Sequence, residues 1–409
     1  MRIFRRFGFL THKFWRCSEH SSFAPARRVS LLRISLSLAC LSGLLLSRKL
    51  WLSTRYYPLT PVTGKLPFIS PPFDLVLFVA LLALLLIIAF RSRPLIPIVA
   101  FLVLGLFLCL SDQSRLQPWF YQYACMLAAF AFYLRKGPDE GNQRVLLNTC
   151  RLIIAASYFW SGLQKLGVGF IDRVFPSLIN PYLNFIFGMV NLVPRPLFLA
   201  IPMLEVGIGI GLLTRRFRNL SVLLALITHI LILALLIPLR RNSVVWPWNI
   251  AMAGFVVILF WRASDFSMRD LLLPRKLGFQ TVVLILFGVM PLFSFVGLWD
   301  SYLSASLYSG NVEAAAIDVS ESAKQRLPPA IQAYVQQSRA TNKLQINPTR
   351  WSLIELNVPS YPERRVFINV TKKICAFAED PSEVTLTIYG KPNRWNGSRE
   401  TRTYNCADL

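Results

Sequence analysis

The chain has 409 residues, of which 54% are hydrophobic and only 16% are charged. Soluble domains carry about 25% charged residues, so this composition excludes a disordered chain or a coiled coil. The net charge of +24 does not indicate a nucleic-acid partner, because most of the cations lie in short clusters between long apolar runs, where positive charge sets membrane orientation. The sequence therefore predicts a polytopic protein whose partner is the membrane lipid bilayer.

Nine apolar runs are long enough to cross a membrane, for which a helix needs about 20 residues. They occupy residues 29–50, 73–90, 95–111, 117–134, 146–164, 197–213, 219–239, 244–261 and 279–298. Arg33 interrupts the first run, which either crosses the membrane or lies along its surface. The predicted fold is an all-α polytopic membrane helix bundle with about nine transmembrane helices over 29–298, followed by a small α+β extramembrane C-terminal domain at 299–409.

The distribution of basic residues predicts the orientation. Seven Lys and Arg residues in the segment 1–28 favour a cytoplasmic N-terminus. The loops that would then be cytoplasmic are basic at each turn, whereas Arg48-Lys49 and Arg240-Arg241 fall on the outer side and count against the rule. Nine crossings place residues 299–409 on the extracytoplasmic side.

The C-terminal domain changes in character from the apolar part. Its sequence predicts an amphipathic helix over Val312–Ala340, broken at Pro328-Pro329. Three later runs rich in β-branched and aromatic residues are predicted as strands: Trp351–Val358, Arg365–Phe377 and Glu383–Tyr389. Cys375 and Cys406 would both face an oxidising compartment, so we predict a disulfide between them.

The loop at 176–196 is apolar but is interrupted by Pro and Asn and is too short to span the membrane twice. An outer re-entrant or interfacial segment is the simplest interpretation.

Three ionisable residues lie inside predicted spans, where a charge costs a few kcal/mol and marks a functional site by default. They are Lys165, Glu205 and His229. We expect them to converge with Asn249 in the outer half of the bundle. Each also has a structural interpretation: Lys165 as a residue whose amine reaches the headgroups, Glu205 as a partner of Lys165 or of His229, and His229 as a hydrogen-bonded bridge between helices.

Residues near one face of the fifth span extend this pattern. Arg151, Tyr158 and Lys165 recur at seven-residue spacing, and Gly162 leaves room for a close neighbouring helix. Arg151 is interpreted as an anchor at the inner face. Trp248, at the outer end of the eighth span, either lines a pocket or belongs to an aromatic belt.

Four short segments resemble, in the same order, the membrane region of the vitamin K-dependent γ-carboxylases. This region is the HTTM domain, which is distantly similar to the DoxX group of membrane proteins. The resemblance covers about residues 100 to 275. The segments are Tyr158–Leu166 (YFWSGLQKL), Asp112–Arg115, Glu205–Arg218 and the stretch from Thr228-His229 to VVWPWNIAM.

The resemblance implies a base and a pocket. The lysine that matches Lys165 acts in that family as the base on a reduced quinone, and the histidine that matches His229 is functionally important. Burial disfavours the charged form of an amine, and a neutral amine can accept a proton from a hydroquinone. We therefore expect Lys165, His229 and Glu205 to be catalytic and Tyr158, Trp248 and Asn249 to line a pocket for a quinone or lipid. The outer domain is far shorter than that of the carboxylases, so carboxylation of protein glutamates is not expected.

Two other functions remain open from the sequence. The protein could be a non-enzymatic membrane scaffold or redox-associated subunit that holds a partner protein through its outer domain. A transporter is less favoured because the sequence has few ionisable residues in its spans and no evident internal repeat. With only three histidines and no C-x-x-C motif, we predict no metal site.

Overall fold

The computed structural model describes residues 24–137, 139–189, 194–240, 242–274, 278–338 and 341–409. Residues 1–23 of the predicted basic N-terminal segment lie outside this described part. The structure is mostly helical, with about 65% of the chain in helices and a small antiparallel sheet near the C-terminus.

Apolar helices occupy the positions of the nine predicted runs. In chain order, with one additional short helix (α6), they are α1 (Pro25–Leu46), α2 (Phe73–Phe90), α3 (Leu95–Ser111), α4 (Pro118–Lys136), α5 (Glu140–Lys165), α6 (Phe175–Phe187), α7 (Pro196–Leu213), α8 (Arg218–Leu236), α9 (Val245–Phe260) and α10 (Phe279–Val296). Within α10, Leu284–Val289 forms a π-helical turn.

In the described part of the chain, five of these helices are both long and apolar enough to cross a membrane: α1, α2, α7, α8 and α10. The helices α3 and α9 are apolar but shorter, at 17 and 16 residues. Arg33 does not interrupt α1, because its guanidinium donates to the carbonyl groups of Arg91 and Ser92 after α2. The membrane class is thereby supported, whereas the number of crossings and the sidedness of the termini stay predictions.

Helix α5 lies at the centre of the bundle and contacts α4, α7 and α9. Small residues allow α5 and α7 to approach closely, as predicted for Gly162. A Cβ atom at Gly162 would lie 2.5 Å from the carbonyl oxygen of Pro202, and one at Gly209 would lie 2.8 Å from the amide nitrogen of Phe159. The two backbones are therefore in direct contact along α5, which fixes how its side chains face α7.

The C-terminal part contains a five-stranded antiparallel sheet in the order β2-β3-β1-β4-β5. Its strands are β1 (Ala314–Val319), β2 (Val335–Gln337), β3 (Leu344–Ile346), β4 (Val384–Tyr389) and β5 (Thr401–Asn405), and its helices are α11 (Glu321–Arg326), α12 (Pro348–Leu356) and α13 (Arg364–Cys375). One-turn helices lie at Arg48–Trp51, Met268–Leu272 and Pro329–Gln332. Ile317, Ile346 and Leu386 are fully buried on one face of the sheet, where α12 packs on β1 and α13 on β4.

Several secondary-structure predictions for this domain are wrong. The start of the predicted helix at Val312–Ala340 is strand β1, because Ile317 pairs with Ile346 and Leu386 on its two neighbouring strands. The predicted strand Trp351–Val358 is mainly helix α12, which begins with Pro348 and is capped by the Asn347 side chain accepting from the Arg350 amide.

The predicted strand Arg365–Phe377 is helix α13. Its apolar residues Phe367, Val370 and Ile374 lie on one helical face and are buried, a spacing that fits a helix rather than a strand. The prediction of a strand at Glu383–Tyr389 is confirmed by β4, in which Val384, Leu386 and Ile388 alternate as buried residues.

The predicted disulfide is present between Cys375 and Cys406, whose Cα atoms are 5.7 Å apart. It joins the end of α13 to the segment after β5 and so closes the last hairpin of the sheet onto the helix.

The C-terminal domain is joined to the bundle by polar contacts. The carboxylate of Glu355 on α12 accepts from the amides of Tyr56 (2.6 Å) and Tyr57 (2.9 Å) in the loop after α1. Asn311 donates to the Gln164 side chain at the end of α5 (2.8 Å), and Arg394 donates to the Leu163 carbonyl (3.1 Å). The domain therefore rests on the end of the bundle at which α5 terminates.

Candidate functional site

A cavity of about 130 Å³ lies at this end of the bundle, next to the C-terminal domain. Helices α4, α5, α7, α8, α9 and α10 contribute to its wall, and the segment 302–308 covers it. The six predicted pocket and catalytic residues all line it: Tyr158, Lys165, Glu205, His229, Trp248 and Asn249. The structure thus brings these side chains together, while their assignment to a reaction stays a prediction.

Lys165 and Glu205 form a buried ion pair in this cavity. The Nζ atom of Lys165 lies 2.6 Å from each carboxylate oxygen of Glu205 and 2.8 Å from the hydroxyl oxygen of Ser161. The ammonium group therefore uses its three donors. This pairing is possible because Lys165 ends α5, and because the close contact at Gly162 brings Glu205 of α7 alongside it.

A second chain of hydrogen bonds fixes the protonation of His229. The Asn249 amide donates from Nδ2 to the Val245 carbonyl (2.7 Å), so its Oδ1 faces Nδ1 of His229 (2.8 Å). Because Oδ1 can only accept, Nδ1 carries the proton and the bare Nε2 accepts from the Tyr158 hydroxyl (2.5 Å). The phenol oxygen of Tyr158 is thereby oriented by two residues behind it, an arrangement that holds a catalytic group in one geometry.

A third polar group was missed from the sequence. Gln122 of α4 accepts from the Trp248 indole through Oε1 (3.0 Å) and donates from Nε2 to the sulfur of Met252 (3.1 Å). A thioether is a weak acceptor, so this N–H can exchange to a better partner in the cavity. Gln122 carries the same signal as Lys165, because it is a polar residue in an apolar helix.

The other walls are aromatic and apolar. The rings of Tyr121 and Phe287 stack at 4.8 Å with an interplanar angle of 6°. Phe287 lies in the π-helical turn of α10, a feature that occurs frequently at functional sites. The cavity thus combines flat apolar walls with a few convergent polar groups, as small-molecule sites do.

The segment 302–308 was also missed, because nothing in its sequence indicates which surface it covers. Ala305 and Tyr308 adopt left-handed backbone conformations, with φ of 59° and 56°. The rings of Tyr302 and Tyr361, the latter in the C-terminal domain, lie 5.4 Å apart, and the Tyr308 hydroxyl accepts from Asn242 (2.9 Å). Strained backbone of this kind is maintained by its surroundings and is common at ligand sites.

Other polar residues singled out in the sequence lie elsewhere. Arg151 is fully buried near the midpoint of α5, away from the cavity, where it contacts Asp265. Asp112 forms ion pairs with Arg55 and Arg115 outside the cavity. The helix α6 occupies the predicted interfacial segment and has no buried residue among those described. In the described residues, no three His, Cys, Asp or Glu side chains are grouped so that they could hold a metal ion.

No family model, curated protein or solved structure matches this chain. The resemblance to the carboxylase membrane region therefore stays a prediction, and the function must be argued from the cavity.

Proposed function

We propose that this chain is a nine-pass membrane protein that binds a lipid-soluble molecule in the cavity at its outer end and performs acid–base chemistry on it. The observation that carries the proposal is the meeting of Lys165, Glu205 and the oriented Tyr158 hydroxyl around one space with apolar walls. A purely structural ion pair has no need of an adjoining cavity. A quinone or quinol is the ligand class that the carboxylase resemblance suggests.

The chemistry follows from the ion pair. Transfer of one proton from the Lys165 ammonium to Glu205 leaves a neutral amine and a neutral acid in an apolar site, where charge separation is costly. The amine can then accept a proton from a ligand hydroxyl, which becomes an oxyanion beside the new ammonium. The Tyr158 oxygen, whose proton is donated to His229, can accept a hydrogen bond from a second hydroxyl of the ligand.

Two features support nine crossings with a cytoplasmic N-terminus. The first feature is that the start of α1 and the end of α9 lie together, because Arg28 of α1 donates to the Trp261 carbonyl after α9 (2.9 Å). The C-terminal domain contacts the bundle at the opposite end. The disulfide at Cys375 and Cys406 fits an extracytoplasmic domain. Tagging each terminus and measuring protease protection in sealed vesicles tests this topology.

The ligand is tested by what accompanies the purified protein. We expect the full chain, extracted in mild detergent, to retain a quinone-like or other oxygen-bearing lipid that solvent extraction and mass spectrometry identify. Lys165→Met should lower its retention about tenfold, corresponding to the loss of one charged hydrogen bond, and should abolish turnover. Lys343→Met is the matched control, because Lys343 is exposed on the outer domain.

Equal retention in Lys165→Met and Lys343→Met, with both proteins folded, would contradict the proposal. So would a wild-type protein that carries no small molecule and shows no saturable binding of ubiquinone or menaquinone.

A scaffold function is the second candidate, favoured by a groove of about 410 Å³ on the outer domain between β2 and α12. Ile354, which is 59% exposed, lies in its wall. If the chain holds a protein partner there, Ile354→Asp or deletion of 312–409 should abolish its function, whereas Lys165→Met should be tolerated. The opposite result favours the enzyme.

A further inference from the structure

A second cleft, of about 430 Å³, lies at the edge of the outer domain and is separate from the cavity. The described residues that line it come from four segments of the chain. Arg173 belongs to the π-helical turn Phe170–Val174 that leads into α6, Ala314 and Tyr389 are paired on β1 and β4, and Gly397 and Arg399 belong to the loop before β5.

The cleft is strongly positive. Of the described residues, none that lines it is a carboxylate, although two of the five are arginines. Arg399 is held in place by donating from Nη1 to the carbonyl groups of Val312 and Gly390, each at 2.9 Å, and its buried Nε has no hydrogen-bond partner. Burial, together with the nearby charge of Arg173, lowers the pKa of Arg399 below its ordinary value. The neighbouring Glu400 pairs instead with Arg402 at 2.7 Å.

Contacts around the cleft place it close to the ends of helices α5 and α8 that face the C-terminal domain. The Arg394 carbonyl accepts from the Val168 amide just after α5 (2.9 Å). Tyr182 of α6 donates to the Leu235 carbonyl near the end of α8 (2.5 Å). Trp395, at the tip of the same loop as Arg399, is 89% exposed, and tryptophan is enriched at this depth of a membrane.

Helix α6, which follows Arg173 in the sequence, provides an exposed apolar surface next to the cleft. Helix α6 begins at Phe175, two residues after Arg173, and ends in Phe185, Ile186 and Phe187, which are 89%, 63% and 59% exposed. A short helix with one apolar face lies in the membrane interface, with that face among the acyl chains. A single ligand that carries a phosphate and hydrocarbon chains could therefore bind the arginines through its phosphate and cover the apolar surface of α6 with its chains.

We propose that the cleft between Arg173 and Arg399 binds the phosphate of an anionic phospholipid of the outer leaflet, with its acyl chains along α6. Arginine matches phosphate oxygens with pairs of parallel hydrogen bonds. A soluble phosphate compound would supply the same anion but would leave the apolar surface of α6 uncovered. This site is independent of the proposed chemistry at Lys165.

Native mass spectrometry of the full-length protein tests the site. The delipidated protein is titrated with phosphatidylglycerol or with phosphatidylcholine of the same chain length. We expect wild type to bind one phosphatidylglycerol in preference to phosphatidylcholine. Arg173→Gln should weaken that binding roughly fivefold, the effect of one basic group near a lipid surface. Arg173 is the better target because Arg399 also supports the loop; Arg350→Gln, an exposed arginine outside the cleft, is the matched control.

Three outcomes would overturn the proposal. The first is equal binding of the two lipids by wild type, and the second is equal binding of phosphatidylglycerol by Arg173→Gln and Arg350→Gln. The third is displacement of the lipid by millimolar inorganic phosphate, which would identify a soluble anion as the ligand. Retention of the quinone-like ligand by Arg173→Gln distinguishes this site from the cavity.

Discussion

Helix α5 carries two buried cations that are each paired with a carboxylate, Arg151 near its midpoint and Lys165 at its C-terminal end, but the two pairs differ in what surrounds them. Arg151 donates to Asp265 through two nitrogens (3.0 and 3.1 Å), to the Leu259 carbonyl (2.9 Å) and to Asn148 (2.9 Å). Its guanidinium also lies 4.0 Å from the centre of the Phe266 ring. Protein groups thus enclose this cation on every side. Lys165 is paired as closely, yet it borders an open cavity.

The difference shows that burial of a charge does not by itself identify a functional residue. Both cations lie in a helix where charge is costly, and both have a partner. Only the pair at Lys165 has space beside it that another molecule can fill. The interpretation of Arg151 as an anchor and of Lys165 as a reactive group therefore depends on packing, and the following predictions separate the two.

The largest expected effect is the loss of stability when Arg151 is replaced. Arg151→Met removes the partner of Asp265 and the donor to Leu259, so we expect the free energy of unfolding in detergent to fall by about 3–5 kcal/mol. Arg350→Met, at an exposed position, should change it by less than about 0.5 kcal/mol. A loss below about 1 kcal/mol at Arg151 would show that the anchor contributes little.

The contact between α5 and α7 gives the next largest effect. Gly162→Ala places a methyl group against the Pro202 carbonyl, so we expect a loss of about 1–3 kcal/mol from overpacking and weaker ligand retention as Glu205 moves from Lys165. Gly254→Ala in α9 is the matched control, because nothing lies within 4 Å of its added Cβ. Similar melting temperatures for the two variants would contradict the close packing.

The ion pair in the cavity should be dispensable for folding. Replacing both partners of a buried pair by apolar residues is often neutral or stabilising. We therefore expect Lys165→Met combined with Glu205→Leu to stay within about 1 kcal/mol of wild type while losing its ligand. The single variant Lys165→Met, which leaves Glu205 unpaired, should be the less stable of the two. A double variant that fails to fold would assign this pair to the scaffold.

The smallest effect is a pH dependence of the ion pair between Arg151 and Asp265. Burial raises the pKa of Asp265, but the Arg151 guanidinium outweighs it and holds that pKa below its ordinary value, which is about 3.9 in an unfolded chain. The Asp265 carboxyl therefore binds a proton more tightly in the unfolded state than in the folded state. The contribution of ionised Asp265 to the unfolding free energy is complete above about pH 4 and is lost as the pH falls through the lowered pKa. The difference in unfolding free energy between wild type and Asp265→Asn should shrink from pH 6 to pH 3. A constant difference would exclude this linkage.

The wrong secondary-structure predictions in the C-terminal domain have a common cause. Its strands and helices are short, and β-branched content suggested a strand where the spacing of Phe367, Val370 and Ile374 favours helix α13. The opposite error occurred at the alanine-rich β1, whose conformation is imposed by pairing with β3 and β4. Local propensity decides little in short elements, because tertiary contacts contribute more than the preferences of a few residues.

The sequence by itself determined the membrane class, the positions of the apolar helices and Lys165, Glu205 and His229 as candidate site residues. A helix must be long enough to cross the hydrocarbon, and a charge inside it is costly, so both features can be recognised from short stretches of sequence. It also sufficed for the pairing of Cys375 with Cys406, the two cysteines of one domain. Only the tertiary structure decided which polar groups meet, that His229 orients Tyr158, and that the segment 302–308 lines the cavity. These contacts join residues that are far apart in the chain, so they depend on helix rotation and packing that no local pattern encodes.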